Sequence, residues 1–200
     1  GVMGPGKGDH ILNSADLEKV DCRGGPPVAI FLSCYTAAYD GKEPSLGERL
    51  LHLQHGPIAV YGGSRVTMPY AMAVMGESLL QQVFDERRQT LGELILHAKR
   101  EMVLQDPAKR TAQRRLIDVM ARTLSPSTHT LDSELREHLS LFNLLGDPLL
   151  RIPYPQPLAI TCPRSAAAGE TITIKTTVPF AGMMRVELIS RPGQLTFQPP

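Results

Sequence analysis

Residues Val28 to Gly41 read V-A-I-F-L-S-C-Y-T-A-A-Y-D-G, an apolar run that leads through Ser33 and Cys34 into turn-forming residues. An apolar run without polar alternation is typical of a strand covered on both faces of a parallel sheet, although periodicity alone also allows a buried helix segment. In open α/β sheets, ligands bind outside the carboxyl ends of the strands. The sequence therefore predicts that Cys34 lies at the edge of the sheet where chemistry takes place.

A second strand is predicted at residues 57–63, which read P-I-A-V-Y-G-G. Between the two strands, residues 45–51 predict a helix that opens with the capping box S-L-G-E. A strand, a helix and a strand in this order form a right-handed βαβ unit by default. The loop at residues 62–69 should then lie on the same edge as Cys34, and Arg65 is the polar contact that we predict from this loop.

The composition is that of an ordinary globular protein, since 200 residues with 42% hydrophobic content suffice for one well-buried domain and a smaller second unit. With 21 basic and 20 acidic residues and no basic stripe interleaved with aromatics, no nucleic-acid surface is indicated. No apolar run approaches the roughly 18 residues of a membrane span. The three cysteines, at positions 22, 34 and 162, lack C-x-x-C spacing and are odd in number, so no metal site, disulfide framework or cofactor is predicted.

Helical periodicity predicts three further helices, at residues 73–88, 90–103 and 111–123. The second of them opens with another capping box, T-L-G-E. The third has apolar residues along one side, namely Leu116, Val119 and Met120. Its arginines, among them Arg114, are interpreted as a solvated face rather than a recognition patch.

The chain changes character at residues 152–157, where a proline at every second position is typical of a linker. Beyond the linker the hydrophobic pattern has period 2, and strands are predicted at residues 171–178 and 184–189. Two or three strands do not form an independently stable sandwich. We therefore predict one domain at residues 1–155 and, at residues 156–200, the beginning of an immunoglobulin-like all-β domain that is cut short or completed by another segment.

Residues 1–10 read G-V-M-G-P-G-K-G-D-H, a short apolar piece followed by a glycine-rich turn. Such a turn suits close approach of backbone amides to a ligand, but it lacks the G-x-x-x-x-G-K-[ST] spacing of a phosphate loop. The chain opens without an initiator methionine and without a charged-then-apolar leader. We therefore expect a fragment or a processed product.

Five motifs of this sequence together carry a family resemblance. They are F-L-S-C-Y-T-A-A-Y-D-G (31–41), S-L-G-E-R-L-L (45–51), G-P-I-A-V-Y-G (56–62), T-L-G-E-L (90–94) and F-N-L-L-G-D-P-L-L-R (142–151). In this combination they resemble the gingipain family of clan CD cysteine peptidases, the clan that also includes caspases and legumains. The resemblance implies a caspase-like three-layer α/β sandwich with a mostly parallel sheet, and Cys34 as the nucleophile. It also implies a protein or peptide substrate and an extracytoplasmic location, secreted or at the cell surface.

Peptide hydrolysis by a thiol requires a thiolate, a histidine that manages the proton of the leaving amine, and backbone amides that stabilise the oxyanion. In the resembling family the histidine lies in a strand-G-H-G turn before the cysteine strand. The corresponding residues here, 2–6, read V-M-G-P-G, with Pro5 at the histidine position. Gly6 matches the glycine whose amide donates to the oxyanion together with the Cys34 amide. The sequence departs from the family pattern a second time at residues 36–38, where other residues replace the glycine that usually follows the nucleophile.

His10 is the candidate replacement for the missing base, because it ends the same glycine-rich turn. His55 precedes the second strand and should lie at the opposite end of the sheet from Cys34. The remaining histidines are interpreted as surface or partly buried polar residues on or beside helices, at positions 52, 97, 129 and 138. The sequence thus predicts a cysteine endopeptidase with an incomplete catalytic dyad. The alternative is a catalytically inactive pseudopeptidase that serves as a binding or surface-adhesion module.

Overall fold

The computed structural model describes residues 2–3, 10–104, 106–126, 130–155, 157–167, 169–178 and 185. The chain divides into two compact units, Gly1–Pro153 and Tyr154–Pro200. The first unit is of mixed α/β type and contains Cys34, so it is described first.

The first unit contains five strands, five α-helices and two short 3-10 helices among its described residues. The strands are β1 (Val2–Met3), β2 (His10–Leu12), β3 (Val28–Phe31), β4 (Ala59–Gly63) and β5 (Phe142–Leu145). The α-helices are α1 (Leu46–Leu51), α2 (Pro69–Phe84), α3 (Leu91–Met102), α4 (Ala112–Leu124) and α5 (Leu131–Leu141). The 3-10 helices are Ser14–Lys19 and Pro107–Lys109.

The central sheet has the strand order β3-β4-β5. Strands β3 and β4 are parallel, with Val28 opposite Ala59, which confirms the predicted parallel pair. Strand β5 runs antiparallel to β4, so the sheet is mixed and the prediction of a mostly parallel sheet is corrected. The direction of β5 follows from α5, because that helix ends at Leu141 beside Ser64, just beyond the carboxyl end of β4. The chain therefore enters β5 from that end.

The two strands of the parallel pair differ in burial. All five residues of β4 are buried, whereas β3 is only partly buried and its Ile30 is 41% exposed. In the described part of the chain, β3 has a neighbouring strand on one side only. The prediction of a strand covered on both faces is therefore wrong for β3 and describes β4 instead.

Helices pack on both faces of the sheet. On one face, Tyr61 of β4 lies in a core built with residues of α2, α3 and α5. On the other face, Val60 packs with Leu17 of the first 3-10 helix and with Leu46 and Leu50 of α1. Because successive residues of a strand point to opposite faces, the apolar run of β4 contributes to both cores. This double burial anchors the carboxyl edge of β4, next to which Cys34 lies.

Two of the predicted helix starts are confirmed, and a third helix begins earlier than predicted. The two predicted capping boxes are present, with Ser45 accepting the Glu48 N–H at α1 and Thr90 accepting the Glu93 N–H at α3. Helix α2 begins at Pro69 rather than at the predicted residue 73. The N–H groups of its N-cap residue Met68 and of Ala71 donate to side chains of α5. No local sequence pattern indicates a cap from so distant a helix.

Helix α4 packs against α2 through its polar side. Arg114 is 3% exposed, and its Nε donates to Asp118 Oδ1 at 2.9 Å. Asp118 also accepts hydrogen bonds from Tyr70 and Arg110, at 2.9 and 2.8 Å. Leu116, on the apolar side, is 61% exposed. The interpretation of Arg114 as part of a solvated face is therefore wrong, because its charge is paired and hydrogen-bonded inside the helix interface.

The second unit contains β6 (Ile160–Thr161) and β7 (Lys175–Thr176), which pair antiparallel. Strand β7 falls within the predicted strand at residues 171–178, and the predicted strand at 184–189 lies outside the described residues except for residue 185. The immunoglobulin-like assignment and the domain bounds 1–155 and 156–200 stay predictions.

Two further features concern the described residues as a whole. No helix among them combines the length and the apolar character that crossing a membrane requires. They also contain no group of three or more His, Cys, Asp or Glu side chains placed to hold a metal ion.

Candidate active site around Cys34

Cys34 lies in a turn that follows the carboxyl end of β3, where the sequence predicts it. We call residues 33–37 the Cys34 turn. The turn folds onto the end of β4, and its Ala37 N–H donates to the Gly63 carbonyl at 2.9 Å. Cys34 is therefore attached to the central strand as well as to the strand that precedes it.

The two glycines that end β4 make room for the Cys34 turn. A Cβ atom on Gly62 would lie 2.7 Å from Thr36 Oγ1, and one on Gly63 would lie 2.8 Å from the Ser33 carbonyl oxygen. Both distances are too short for a carbon–oxygen contact, so a side chain at either position would push the turn away from the strand. The G-G pair in the sequence thus has a structural reason, the close approach of the turn.

Tyr35 follows Cys34 directly and has a positive φ of 55°. A bulky residue in this left-handed region is strained, and strained residues cluster at functional sites. The Tyr35 N–H donates to the Arg65 carbonyl at 3.2 Å, and its ring is exposed. The loop after β4 therefore helps to hold the turn in a conformation that a tyrosine disfavours.

The sulfur of Cys34 faces Thr67 in the loop after β4. The Thr67 N–H donates to Sγ at 3.2 Å, and the Thr67 hydroxyl oxygen lies 3.4 Å from Sγ. The Thr67 carbonyl oxygen, 3.6 Å from Sγ, accepts the thiol proton. The same hydroxyl also donates to the Met72 sulfur at 3.0 Å. These contacts confirm that the loop after the second strand lies on the same edge as Cys34.

Hydrogen bonds from Thr67 hold the pKa of the Cys34 thiol below its ordinary value, with the hydroxyl contributing most and the backbone next. Partial burial acts in the opposite direction but is outweighed. Because the thiolate is the nucleophilic form of cysteine, a lowered pKa increases the reactive fraction at neutral pH. A partly exposed thiol with two donors beside its sulfur can attack an electrophile such as a carbonyl carbon.

Arg65, the predicted polar contact of the site, forms an ion pair with Asp40. Its Nη1 donates to Asp40 Oδ1 at 2.9 Å and to the Ser64 carbonyl at 2.8 Å, and its Nη2 contacts the second carboxylate oxygen. This pairing holds the pKa of Asp40 below its usual range. The arginine thereby links the loop after β4 to the chain that follows the Cys34 turn, and its role as a substrate contact stays a prediction.

The other predicted site residues lie at the start of the chain. Pro5 and Gly6 fall outside the described residues. His10 begins β2, where its backbone is described and its side chain is not. The histidine position at Pro5, the oxyanion donor Gly6 and the base His10 therefore stay predictions.

His138 is a candidate that the sequence interpretation missed. It is fully buried, not surface or partly buried as predicted, and its Nε2 accepts the Met68 N–H at 2.8 Å. Its Nδ1 lies 2.7 Å from the Glu134 carbonyl oxygen, so Nδ1 carries the proton and donates it. Met68 directly follows Thr67. The sequence signal for this contact is weak, because the two residues lie 70 positions apart.

Three other residues considered from the sequence, namely His55, Cys22 and Cys162, have no described contact with Cys34. His55 precedes β4, so it lies at the opposite end of the parallel pair from Cys34. Its carbonyl accepts the Cys22 N–H at 2.8 Å. Cys22 and Cys162 are free thiols, the first partly buried and the second exposed in the second unit.

Comparison with known proteins gives one family match. The model of peptidase family C25 matches residues 3–153. In structure, the chain is similar to a crystal structure of the Arg-specific cysteine proteinase gingipain R, with 14% identity and a TM-score of 0.49 over 84% of this chain and 36% of that chain. It is also similar to a structure described as that of a protease, with 16% identity and a TM-score of 0.47 over 78% of this chain and 35% of that chain. The chain thus spans about a third of the length of these solved chains. No curated protein matches it.

Proposed function

The chain belongs to peptidase family C25, and from this premise we propose that it hydrolyses peptide bonds by thiolate attack from Cys34. The observation that carries the proposal is the contact of the Cys34 sulfur with the Thr67 N–H, at 3.2 Å, on the carboxyl edge of the sheet. That contact favours the nucleophilic form of the thiol, and the partial exposure of Cys34 leaves the sulfur open to a substrate.

In the proposed reaction, Cys34 Sγ forms a bond to the carbonyl carbon of a protein or peptide, and the carbonyl oxygen takes up the electron pair. We propose the amides of Gly6 and Cys34 as donors to that oxyanion. Collapse of the intermediate breaks the C–N bond, and the leaving amine takes a proton, for which His10 is the proposed donor. Water then hydrolyses the thioester and releases the free thiol.

Labelling with a peptidyl electrophile tests this proposal. One equivalent of the reagent should attach to Cys34 in the folded protein. The labelling should disappear in Cys34→Ala and persist in the matched variant Cys22→Ala. Correctly folded protein with an unreactive Cys34 would contradict the peptidase function.

A catalytically inactive binding or surface-adhesion module is the second candidate. The observation that favours it is Pro5, which stands where the resembling family carries its histidine. Proline has no side chain that accepts a proton. A Pro5→His variant that gains peptide hydrolysis would support this candidate, because the native chain would then lack its base. Hydrolysis by the native protein that is lost in His10→Ala would support the peptidase with His10 as base.

Five finer features belong to the same proposal. The presence of helices on both faces of the sheet supports a caspase-like three-layer arrangement. Family membership supports a protein or peptide substrate and an extracytoplasmic location. The antiparallel pair β6-β7 and the period-2 pattern support an immunoglobulin-like second unit. The position of Arg65 beside the Cys34 turn supports its role as a substrate contact.

A further inference from the structure

Helix α5 holds the segment of chain that carries Thr67. We call this segment, residues 64–71, the thiol loop, although its last three residues form the first turn of α2. At its start, the Ser64 N–H and hydroxyl both donate to the Leu141 carbonyl at the end of α5, at 2.8 and 2.9 Å. This pair of hydrogen bonds ties the beginning of the thiol loop to the helix.

Two side chains of α5 hold the other end of the thiol loop. Nε2 of His138 accepts the Met68 N–H, and Oε1 of Glu134 accepts the Ala71 N–H, each at 2.8 Å. Both side chains are buried, and the N-cap residue of α2 makes no side-chain cap of its own. Side chains of α5 thus replace the local cap that a helix start normally requires.

His138 and Cys34 contact opposite ends of one peptide group, the one that joins Thr67 to Met68. Its carbonyl oxygen lies 3.6 Å from Cys34 Sγ, and its N–H is bonded to His138 Nε2 at 2.8 Å. A peptide group is planar, so an acceptor that fixes the N–H also fixes the direction of the carbonyl. The imidazole therefore sets the direction of the Thr67 carbonyl, and with it the position of Thr67, whose own N–H and hydroxyl face the same sulfur.

We propose that His138 and Glu134 are positioning residues for Cys34, because they hold the thiol loop with the N–H and hydroxyl of Thr67 directed at the sulfur. The inference rests on the proposed function, in which Cys34 is the nucleophile, and it adds the residues that prepare that nucleophile. Both ring nitrogens of His138 are bonded to backbone groups. The imidazole thus acts through the thiol loop and does not itself exchange a proton with the sulfur.

A purely structural role for His138 is the competing explanation. Removing a buried acceptor leaves a backbone N–H without its partner and lowers stability wherever it occurs. The two explanations predict different reactivity of the Cys34 sulfur. If His138 is only structural, its replacement lowers the melting temperature but does not change the reactivity of the thiol in folded protein. The experiment must therefore report on Cys34 in folded protein.

The test is the rate of Cys34 alkylation by iodoacetamide across pH, in protein whose other two cysteines are replaced by serine. His138→Asn keeps a donor near the Glu134 carbonyl but is too short to accept the Met68 N–H. His138→Gln places an amide oxygen near the Nε2 position and retains that acceptor. We expect His138→Asn to slow alkylation at pH 7 roughly tenfold, the order expected for one lost hydrogen bond, and to raise the pH midpoint. His138→Gln should keep the native alkylation rate and the native pH midpoint.

Lys99→Met is the matched control for general loosening of α5. Lys99 Nζ donates to the carbonyls of Leu139 and Phe142, at 2.6 and 2.8 Å, so it holds the end of α5 through groups outside the thiol loop. This variant should lower the melting temperature and leave the rate and pH midpoint of Cys34 unchanged. Unchanged alkylation in folded His138→Asn, or an equal change in Lys99→Met, overturns the proposal.

A second pair of variants keeps the proposal testable if His138→Asn does not fold. Glu134→Ala removes the acceptor of the Ala71 N–H and should slow alkylation, whereas Glu134→Gln retains an acceptor and should not. Equal rates in the two variants overturn the proposal.

Alkylation by iodoacetamide requires no peptidase activity, so the proposed function and the positioning role of His138 are tested independently. A Cys34 that resists the peptidyl electrophile, but whose alkylation still depends on His138, contradicts the proposed function and supports the positioning role. A Cys34 that reacts with the peptidyl electrophile equally fast in the native protein and in His138→Asn supports the function and overturns the positioning role.

Discussion

One neighbouring residue contacts the sulfur of Cys34 through two groups. Thr67 supplies a backbone N–H and a hydroxyl to the same sulfur, at 3.2 and 3.4 Å. The hydroxyl also bonds Met72, so its single proton is shared between two sulfur atoms. Ionisation of Cys34 favours donation to Cys34, because a charged acceptor forms the stronger hydrogen bond.

Replacing Thr67 by valine tests the contribution of the hydroxyl. Thr67→Val keeps the backbone N–H and the branched shape, but it removes the largest cause of the lowered pKa of Cys34. The pH midpoint of alkylation should therefore rise toward the ordinary thiol value of about 8.5. Below that value the variant contains less thiolate and reacts more slowly than the native protein, and well above it the two rates converge.

Thr123→Val is the control for Thr67→Val. The Thr123 hydroxyl donates to the Val119 carbonyl on the exposed side of α4, at 2.9 Å, and has no contact with Cys34. The control should leave the alkylation profile unchanged. A midpoint that stays the same in Thr67→Val would show that the hydroxyl does not stabilise the thiolate.

The strain at Tyr35 leads to a prediction about stability. Glycine adopts a φ of 55° without steric cost, whereas a left-handed tyrosine costs about 1–2 kcal/mol and a β-branched residue more. Tyr35→Gly should leave the free energy of unfolding within about 1 kcal/mol of the native value, because the relieved strain offsets the extra entropy of the unfolded glycine. Tyr35→Val should be less stable than Tyr35→Gly in urea denaturation. Equal stability of the two variants would contradict strain at this position.

Helix α4 shows that an amphipathic pattern does not reveal which side faces the protein. Its polar side, with Arg114 and Asp118, packs on α2. Its exposed apolar side includes Leu116 and Leu124. The buried charges are acceptable because each is paired and hydrogen-bonded, including the Arg114 Nη2 to the Met102 carbonyl at 3.0 Å.

Two substitutions in α4 test which side of the helix packs against the protein. Arg114→Leu should lower the free energy of unfolding by about 3 kcal/mol, because it leaves buried Asp118 with fewer partners. Leu116→Gln should change it by less than about 0.5 kcal/mol, since its side chain is mostly exposed. Urea denaturation measures both values. A larger loss in Leu116→Gln than in Arg114→Leu would show that the apolar side is the packed one.

The first unit contains the two cores that flank the sheet and the described contacts of Cys34. A chain that ends at Pro153 should therefore unfold in one cooperative thermal transition and keep the alkylation rate of Cys34. Circular dichroism and the iodoacetamide assay measure these two properties. A truncated chain without a cooperative transition would show that the first unit depends on residues beyond Pro153.

Local sequence patterns predicted the parts of the fold that depend on neighbouring residues. The capping boxes at Ser45 and Thr90 are formed as predicted, because a box joins residues three positions apart. The apolar runs at residues 28–32 and 57–63 predicted the parallel pair and the position of Cys34 at its carboxyl edge. The motifs between residues 31 and 151 were sufficient to indicate the peptidase family.

The parts that sequence did not predict depend on contacts between distant elements. Periodicity shows that α4 has two sides, but the partners on α2 determine that Arg114 is buried and Leu116 exposed. Likewise, the early start of α2 and the burial of His138 exist because α5 packs against the thiol loop. The sequence thus identified the thiol and the strand that carries it. Tertiary packing brought Thr67 to that thiol and α5 to the thiol loop, because hydrogen bonds across 33 and 70 residues form only when the helices pack around the sheet.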